Sequence, residues 1–263
     1  MATYLDRILE AHRAAARADD RPFDGLLEQA RCTSDPVRGF RAALRAASVD
    51  RLAVIAEVKR RSPSKGALAP DLDPAAVAGA YAAGGAACLS VLTDEESFGG
   101  SVADLQVARA AVAVPVLRKD FTVSPKDVCD ARLMGADAVL LIVAALDDDE
   151  LADLHRLATH LGLDVLVEVH DEAELARAID VGATTIGVNQ RDLMTFEVDN
   201  ARAVRVGEAM PDGVLRVAES GIRGPDDAAA LAAAGFHAIL VGESVVTSGD
   251  PGRTVAGLRA PRR

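Results

Sequence analysis

Short apolar runs recur along the chain and alternate with longer stretches in which apolar residues follow helical spacing. Four of the runs read LAVIAE, VPVLRK, DVLVE and LRVAE, and four more end the segments AAGGAACLSVL, LMGADAVLLIV, DVGATTIGV and AAGFHAILVG. Strands that are apolar at nearly every position are typical of parallel sheets that are covered on both faces. The pattern therefore predicts a parallel sheet whose strands are connected by helices.

The second group of segments marks an internal repeat. Each has a glycine between a predicted helix and a predicted strand, and these glycines are 50, 47 and 53 residues apart: Gly85, Gly135, Gly182 and Gly235. A glycine just past a helix commonly ends it in left-handed backbone. The repeat unit is strand-helix-strand-helix, and four copies predict the eight strands of a closed (β/α)8 barrel. A doubly wound open sheet is the alternative, but it does not predict four equal quarters.

Helix starts fit between these strands. Ser124 is a predicted N-cap followed by Pro125 at the first helical position. Asp171 and Glu174 have the spacing of a capping box. The acidic run at 147–150 could be read as a metal site, but its place before a helical pattern favours a helix start, where carboxylates are stabilised by the helix dipole.

The first part of the chain precedes the barrel pattern. Residues 1–48 show helical spacing, with Tyr4, Ile8 and His12 on one face. This segment is too short to bury a core of its own, so we expect helices packed on a barrel that spans 49–263, in a single domain.

Composition narrows the classes of partner. The formal net charge is −11, which argues against nucleic acid or an anionic membrane. No apolar run approaches the length of a bilayer span, and the N-terminus lacks the apolar core of a signal peptide, so we expect a soluble cytoplasmic protein that acts as a monomer. Cys32, Cys88 and Cys129 are widely spaced. We expect reduced thiols in the core rather than a disulfide framework or a zinc site.

Polar side chains stand at the predicted carboxyl ends of most strands. In a barrel these ends converge on one mouth, where catalytic groups are found. Contact with water would explain one or two such residues, but five charged or amide residues among eight strand ends indicate a site. They are Glu57, Lys119, Glu168, Asn189 and Glu219. Lys59 joins this set because it lies two residues after Glu57, on the same face of the strand.

Loops at this mouth have the character of binding loops. The loop at about 59–73 is long for a βα connection, which is typical of lids and binding loops. The loops after the seventh and eighth strands carry Gly221 and Gly242 and lead to helix N-termini, where free N–H groups bind anions. The site is therefore predicted to carry out acid–base chemistry on a phosphorylated, sugar-like small molecule. The histidines form no metal-ligand pattern, so we expect neither a metal nor a cofactor, and His170 is expected at the surface or behind the site.

Eight segments resemble the indole-3-glycerol phosphate synthase family in order and spacing: IAEVKRRSPSKG, SVLTDEESFGGS, PVLRKDF, GADAVLLI, LVEVHDEAEL, IGVNQRDL, VAESGI and ILVGESVV. The resemblance runs from about residue 36 to residue 249 and implies a TIM barrel with an N-terminal helical extension. It further implies a carbon–carbon lyase of tryptophan biosynthesis. That enzyme closes the indole ring of 1-(2-carboxyphenylamino)-1-deoxyribulose 5-phosphate with loss of CO₂ and water.

The resemblance also implies roles for the strand-end residues. Lys119 would be the general acid at the substrate carbonyl, and Glu168 a general acid and base. Lys59 would assist proton transfer and hold the substrate. The residues implied to organise this network are Glu57, Asn189 and Glu219.

Ten further positions are implied to bind substrate. They are Ser62 and Arg191 for the carboxylate, Gly221, Gly242 and Ser244 for the phosphate, Phe98, Phe121 and Leu140 for the anthranilate ring, and, with no part of the substrate assigned, Ser220 and Glu243.

One departure and two alternatives accompany this interpretation. Gln190 stands where the family commonly has a small residue or Asn, so we expect the fine positioning of Asn189 or the substrate to be affected. The chain could instead be another phosphate-binding barrel of the same pathway class, such as a phosphoribosyl isomerase, or a non-catalytic binding protein. The complete set of strand-end groups argues against both.

Overall fold

The computed structural model describes residues 4–192 and 197–262. Leu193, which ends the segment IGVNQRDL, lies outside the described residues. So do the first three residues of the predicted segment 1–48 and the last residue of 49–263.

Eight parallel strands close into a barrel, which confirms the predicted fold and excludes the open sheet. Each strand pairs with the next in sequence, and the last pairs with the first. The strands are β1 (Ala53–Val58), β2 (Cys88–Leu92), β3 (Val116–Lys119), β4 (Ala138–Ile142), β5 (Asp164–Val169), β6 (Thr185–Asn189), β7 (Leu215–Glu219) and β8 (Ala238–Val241).

Helices precede the barrel and surround it. They are α1 (Tyr4–Ala18), α2 (Phe23–Cys32), α3 (Phe40–Ala47), α4 (Pro74–Ala83), α5 (Glu95–Phe98), α6 (Val102–Ala111), α7 (Pro125–Leu133), α8 (Asp148–His160), α9 (Glu172–Asp180), α10 (Asn200–Glu208), α11 (Pro225–Ala233), α12 (Glu243–Val246) and α13 (Pro251–Leu258), with a 3-10 turn at Val143–Ala145. Among the described residues no helix is long and apolar enough to cross a bilayer.

The predicted helix starts are present, with one difference. Ser124 begins α7 and Asp147 begins α8, each with a reciprocal capping box, so the acidic run is a helix start. The Asp171 carboxylate caps α9 by accepting from the backbone N–H of Glu174. The carboxylate of Glu174, however, accepts from the backbone N–H of His170 rather than from that of Asp171.

The three N-terminal helices contact the barrel. Phe40 and Leu44 of α3 are fully buried, and α3 packs against β1 and β2 while α2 packs against α7. The cysteine prediction is wrong at one position: all three thiols are free, but only Cys88 and Cys129 are buried. Cys32 is exposed because it lies at the end of α2, where its thiol donates to the Glu28 carboxylate one turn earlier in the helix rather than packing on the barrel.

A buried carboxylate ties the N-terminal segment to the barrel. Asp137, just before β4, accepts hydrogen bonds from the backbone N–H groups of Arg38, at 2.9 Å, and Val116, at 2.8 Å. The Arg109 guanidinium lies 3.2 Å from the same carboxylate. A charged acceptor that satisfies two backbone donors in the interior is expected to contribute strongly to stability.

We predict that Asp137→Ala lowers the free energy of unfolding by about 3 kcal/mol, because it leaves buried donors and a guanidinium without their acceptor. Urea unfolding followed by circular dichroism measures the change. Asp153→Ala is the matched control. Asp153 is 67% exposed in its pair with Arg156, so its loss should cost no more than about 0.5 kcal/mol. Equal losses in the two variants would contradict the assigned role of Asp137.

Candidate active site

A cavity of about 420 Å³ opens at the carboxyl ends of the barrel strands. Every residue that the sequence predicts for the site lines it. The strand-end residues are Glu57, Lys59, Lys119, Glu168, Asn189 and Glu219, and the others are Ser62, Phe98, Phe121, Leu140, Arg191, Ser220, Gly221, Gly242, Glu243 and Ser244.

A lysine among carboxylates forms the polar centre of this cavity. Lys119 Nζ lies 3.0 Å from Glu168 Oε2 and 3.6 Å from Glu219 Oε2. Asn189 donates from Nδ2 to Glu168 Oε1 at 3.0 Å. The barrel register explains the arrangement, because Asn189 pairs with Glu219 across β6 and β7, next to the end of β5. Both oxygens of Glu168 are thereby held.

The three ionisable groups of this centre are driven to different protonation states. Burial on its own lowers the pKa of Lys119, but the carboxylates of Glu168, Glu219 and Glu57 outweigh it and raise that pKa above its usual range. Burial on its own raises the pKa of Glu168, but Lys119, a nearby histidine and Asn189 bring it below its ordinary value. Burial, helped by the charge of Glu168 and opposed by Lys119, raises the pKa of Glu219 to about 8. The site thus holds an ammonium donor beside one ionised and one protonated carboxyl group.

A second ion pair joins Glu57 and Lys59 at the end of β1. Their side chains occupy the space beside Gly242. A Cβ atom at that position would overlap the Glu57 carboxylate and lie 3.0 Å from Lys59 Nζ. Glycine at the start of the loop after β8 is therefore needed to make room for this pair.

The loop after β7 takes a left-handed turn where it lines the cavity. Ser220 has φ of 65° and Gly221 has φ of 72°, and a left-handed serine is uncommon outside functional turns. Ser244 donates from Oγ to the carbonyl of Ile222 at 3.0 Å, which joins this loop to the start of α12. The two glycine loops thus form one surface.

Gln190 supports that turn from behind and does not line the cavity. Its Nε2 donates to the Ser220 carbonyl at 2.7 Å, and its side chain is buried. The sequence suggested an effect on Asn189 or the substrate. In the structure the longer side chain reaches the loop after β7, while Asn189 on the other face of β6 holds Glu168. An effect on the substrate stays a prediction.

The long loop after β1 contains a short ribbon, Arg61–Ser62 paired with Gly66–Ala67. Its cations divide into two groups. Lys59 and Lys65 line the cavity, and Lys65 forms an ion pair with Glu243 across the mouth. Arg60 turns away to Asp104, 2.8 Å distant, and Arg61 donates to the carbonyl of Glu95. Ser62 Oγ is buried and has no hydrogen-bond partner among the described residues.

Sequence reasoning missed several lining residues. Asp94 and Asp120 each follow a strand end closely, so the rule that found their neighbours could have found them. Arg223, in the loop after β7, adds a cation next to the left-handed turn. His12 of α1 reaches Asp94, with Nε2 2.8 Å from Oδ2, and its ring lies 5.4 Å from that of Phe121. No local pattern could have placed this N-terminal residue at the mouth.

His12, Asp94 and Asp120 are the one group, in the part of the chain that the structure describes, whose ligand atoms lie close enough to share a metal ion. Their atoms are already engaged with protein groups. His12 contacts Asp94, while Asp120 accepts from the Phe121 backbone N–H at 2.8 Å and from Arg118 at 2.9 Å. This group forms an internal network that joins α1 to the loops after β2 and β3.

We predict that Gly187→Ala displaces the Glu219 carboxylate. A Cβ atom at position 187 of β6 would overlap Glu219 Oε1, and this carboxylate can rotate more easily than the strand can move. A crystal structure of the variant should show a Lys119–Glu219 separation well beyond the present 3.6 Å.

Gly79→Ala is the control for this substitution. Gly79 lies inside α4 with nothing within 4 Å of its added Cβ, so the variant should keep the Glu219 geometry and gain about 0.5–1 kcal/mol from helix propensity. If Glu219 keeps its position in Gly187→Ala, the backbone of β6 must have moved instead, which would contradict the prediction.

Sequence comparisons connect this site to a family. Residues 5–258 match the family profile described as indole-3-glycerol phosphate synthase. Relatives carrying that name include one from Parafrankia sp. (strain EAN1pec), 52% identical over 97% of this chain and 94% of its own length. Another, from Mycolicibacterium vanbaalenii, is 52% identical over 98% and 94%. A third, from Beutenbergia cavernae, is 58% identical over 80% and 78%.

Solved structures that resemble this chain at low identity show the fold alone. A thiamine phosphate pyrophosphorylase from Pyrococcus furiosus has a TM-score of 0.60 and 18% identity, covering 79% of this chain and 93% of its own. An N-acetylmannosamine-6-phosphate 2-epimerase from Clostridium perfringens has a TM-score of 0.60 and 14% identity, covering 76% and 90%.

Proposed function

This chain belongs to the indole-3-glycerol phosphate synthase family, and on that premise we propose that its cavity closes the indole ring of 1-(2-carboxyphenylamino)-1-deoxyribulose 5-phosphate. One CO₂ and one water leave, and indole-3-glycerol phosphate is the product. The observation that carries this proposal is that the Lys119–Glu168 pair and two glycine loops line the same cavity.

The cavity offers a distinct surface for each part of that substrate. We assign the phosphate to the turn at Gly221 and the start of α12, because Gly221, Arg223 and Ser244 line the cavity there and free N–H groups at a helix start favour anions. The anthranilate ring lies against Phe121 and Leu140, which are apolar and largely buried. Ser62, whose hydroxyl has no partner among the described residues, is assigned with Arg191 to the carboxylate.

Ring closure needs a proton delivered to the carbonyl oxygen as the ring carbon attacks the carbonyl carbon. Lys119 is the group for this step, because the surrounding carboxylates keep it an ammonium. The attack places the new bond on the carbon that bears the carboxylate. Loss of CO₂ from that carbon then restores the aromatic ring.

Dehydration needs a base for a carbon-bound proton and an acid for the departing hydroxyl. Glu168 is the base, since its pKa is held below the ordinary value and its oxygens are fixed by Lys119 and Asn189. Lys59, paired with Glu57, assists proton transfer to the departing oxygen. Glu219, protonated near neutral pH, organises the pair.

Turnover of the carboxyphenylamino-deoxyribulose phosphate by the purified protein tests the proposal. The indole product, measured by its fluorescence, and CO₂ should be formed in equal molar amounts. An isomerase would consume a related aminosugar phosphate without indole fluorescence, and a binding protein would bind without turnover. Absence of indole product would overturn the assignment.

We predict that Lys119→Ala lowers kcat by about 10³-fold while substrate binding stays measurable by calorimetry, because the acid is lost and the phosphate and carboxylate contacts remain. Lys126→Ala is the matched lysine control. Lys126 donates to the carbonyl of Asp19 rather than facing the cavity, so kcat should be retained. A near wild-type kcat in Lys119→Ala would refute the role of Lys119 as the acid.

The location and the assembly of the protein stay predictions. We infer a cytoplasmic location, which is supported by three free thiols, as expected in a reducing compartment. We also infer a monomer. The single-domain organisation predicted for 1–48 and 49–263 is supported by the burial of α3 residues against the barrel. Light scattering coupled to size exclusion tests the monomer, and one cooperative urea transition tests the single domain.

A further inference from the structure

A histidine lies directly behind the carboxylate that we assign as the base. His170 follows β5, and its side chain is only 12% exposed. Its Nε2 lies 3.6 Å from Glu168 Oε1, is buried, and has no hydrogen-bond partner among the described residues. Buried polar atoms are usually hydrogen-bonded, so a buried ring nitrogen that lies near a carboxylate and forms no hydrogen bond needs an explanation.

The other side of the imidazole is held by a second carboxylate. His170 Nδ1 lies 2.9 Å from Glu174 Oε2, and the same oxygen accepts the His170 backbone N–H at 2.8 Å. An ionised carboxylate can only accept, so Nδ1 carries a proton. Nε2, the nitrogen that faces Glu168, is then the one that gains or loses the second proton.

The charges around the ring favour the imidazolium. Glu174 on α9 and Glu168 on β5 attract a positive ring, whereas burial and Arg202 on α10 oppose it. The balance raises the pKa of His170, with burial the largest opposing cause and the Glu174 contact the largest favouring one. Arg202 is directed elsewhere, to the carbonyl of Asn189 at 3.3 Å.

We propose that His170, held by Glu174, is a positioning residue that keeps Glu168 ionised as the base of the reaction. Glu168 is buried beside Glu219 and would be pushed towards its neutral form by that environment. Lys119 compensates at Oε2, and the neutral amide of Asn189 bonds Oε1. The ring of His170, with Nε2 3.6 Å from Oε1, places a group that can carry a positive charge on that side. The inference rests on the proposed function for the role of Glu168.

His170→Gln tests the charge while keeping a side chain that can bond Glu174. Loss of an opposite charge at this distance should raise the pKa of Glu168 by about one unit or more. The acidic limb of the kcat profile should move to higher pH by the same amount. KM should change little, because His170 does not line the cavity. An acidic limb at the wild-type pH would overturn the proposal.

Glu174→Gln provides a second variant that leaves the ring in place. It removes the charge that favours the imidazolium, so the acidic limb should move in the same direction. His160→Gln is the control, since His160 is exposed on α8 and contacts only Arg31 among the described residues. It should leave the profile unchanged. Melting temperatures of the three variants establish that each is folded.

A measurement on the ligand-free protein separates this inference from the proposed function. Ring-nitrogen NMR followed over pH should show that His170 takes up its second proton with a pKa above the ordinary value for histidine. In Glu168→Gln the His170 pKa should fall, because the coupling between the two groups is reciprocal. These signals can be read even if the wild-type protein forms no indole product, an outcome that would overturn the proposed function alone. A His170 pKa that is not raised in the wild-type protein, or no response to Glu168→Gln, would overturn the inference.

Discussion

The contact between Lys119 and Glu168 is the interaction on which the rest of the site depends. Two opposite charges in a largely buried place are stable only if their geometry is good and their remaining hydrogen-bonding capacity is satisfied. Asn189 bonds the second oxygen of Glu168, and a Glu219 oxygen lies 3.6 Å from Lys119 Nζ. The ring of His170 approaches Glu168 Oε1 to 3.6 Å without a hydrogen bond.

The barrel supplies the precision that this contact needs. Parallel strands in fixed register bring the ends of β3, β5, β6 and β7 to one edge, so groups distant in sequence meet without any loop having to carry them. Small residues complete the arrangement. Gly187 and Gly242 leave the volumes that the Glu219 and Glu57 carboxylates occupy. The polar site at the mouth therefore needs glycine at positions 187 and 242 as well as the charged side chains themselves.

Sequence alone predicted the barrel and the strand-end groups because both follow from local rules. Apolar runs, helix caps such as Ser124 and a glycine repeat specify the element order, and the closed sheet then brings Lys119 and Glu168 together. The same rules could not find His12, which reaches Asp94 from 82 residues away through the packing of α1. They also could not predict that the Gln190 side chain points away from the cavity, because its direction depends on where the loop after β7 places the Ser220 carbonyl. The exposure of Cys32 was missed because helical spacing does not say which face of α2 meets the barrel.

Asn189 and Gln190 are consecutive residues at the end of β6, and their side chains support different parts of the site. One bonds the carboxylate beside Lys119, and the other holds the turn on which the second glycine loop rests. Consecutive side chains on a strand point to opposite faces, so one short segment of β6 carries both contacts. A displacement of this strand end would therefore disturb the carboxylate beside Lys119 and the turn at Ser220 at the same time.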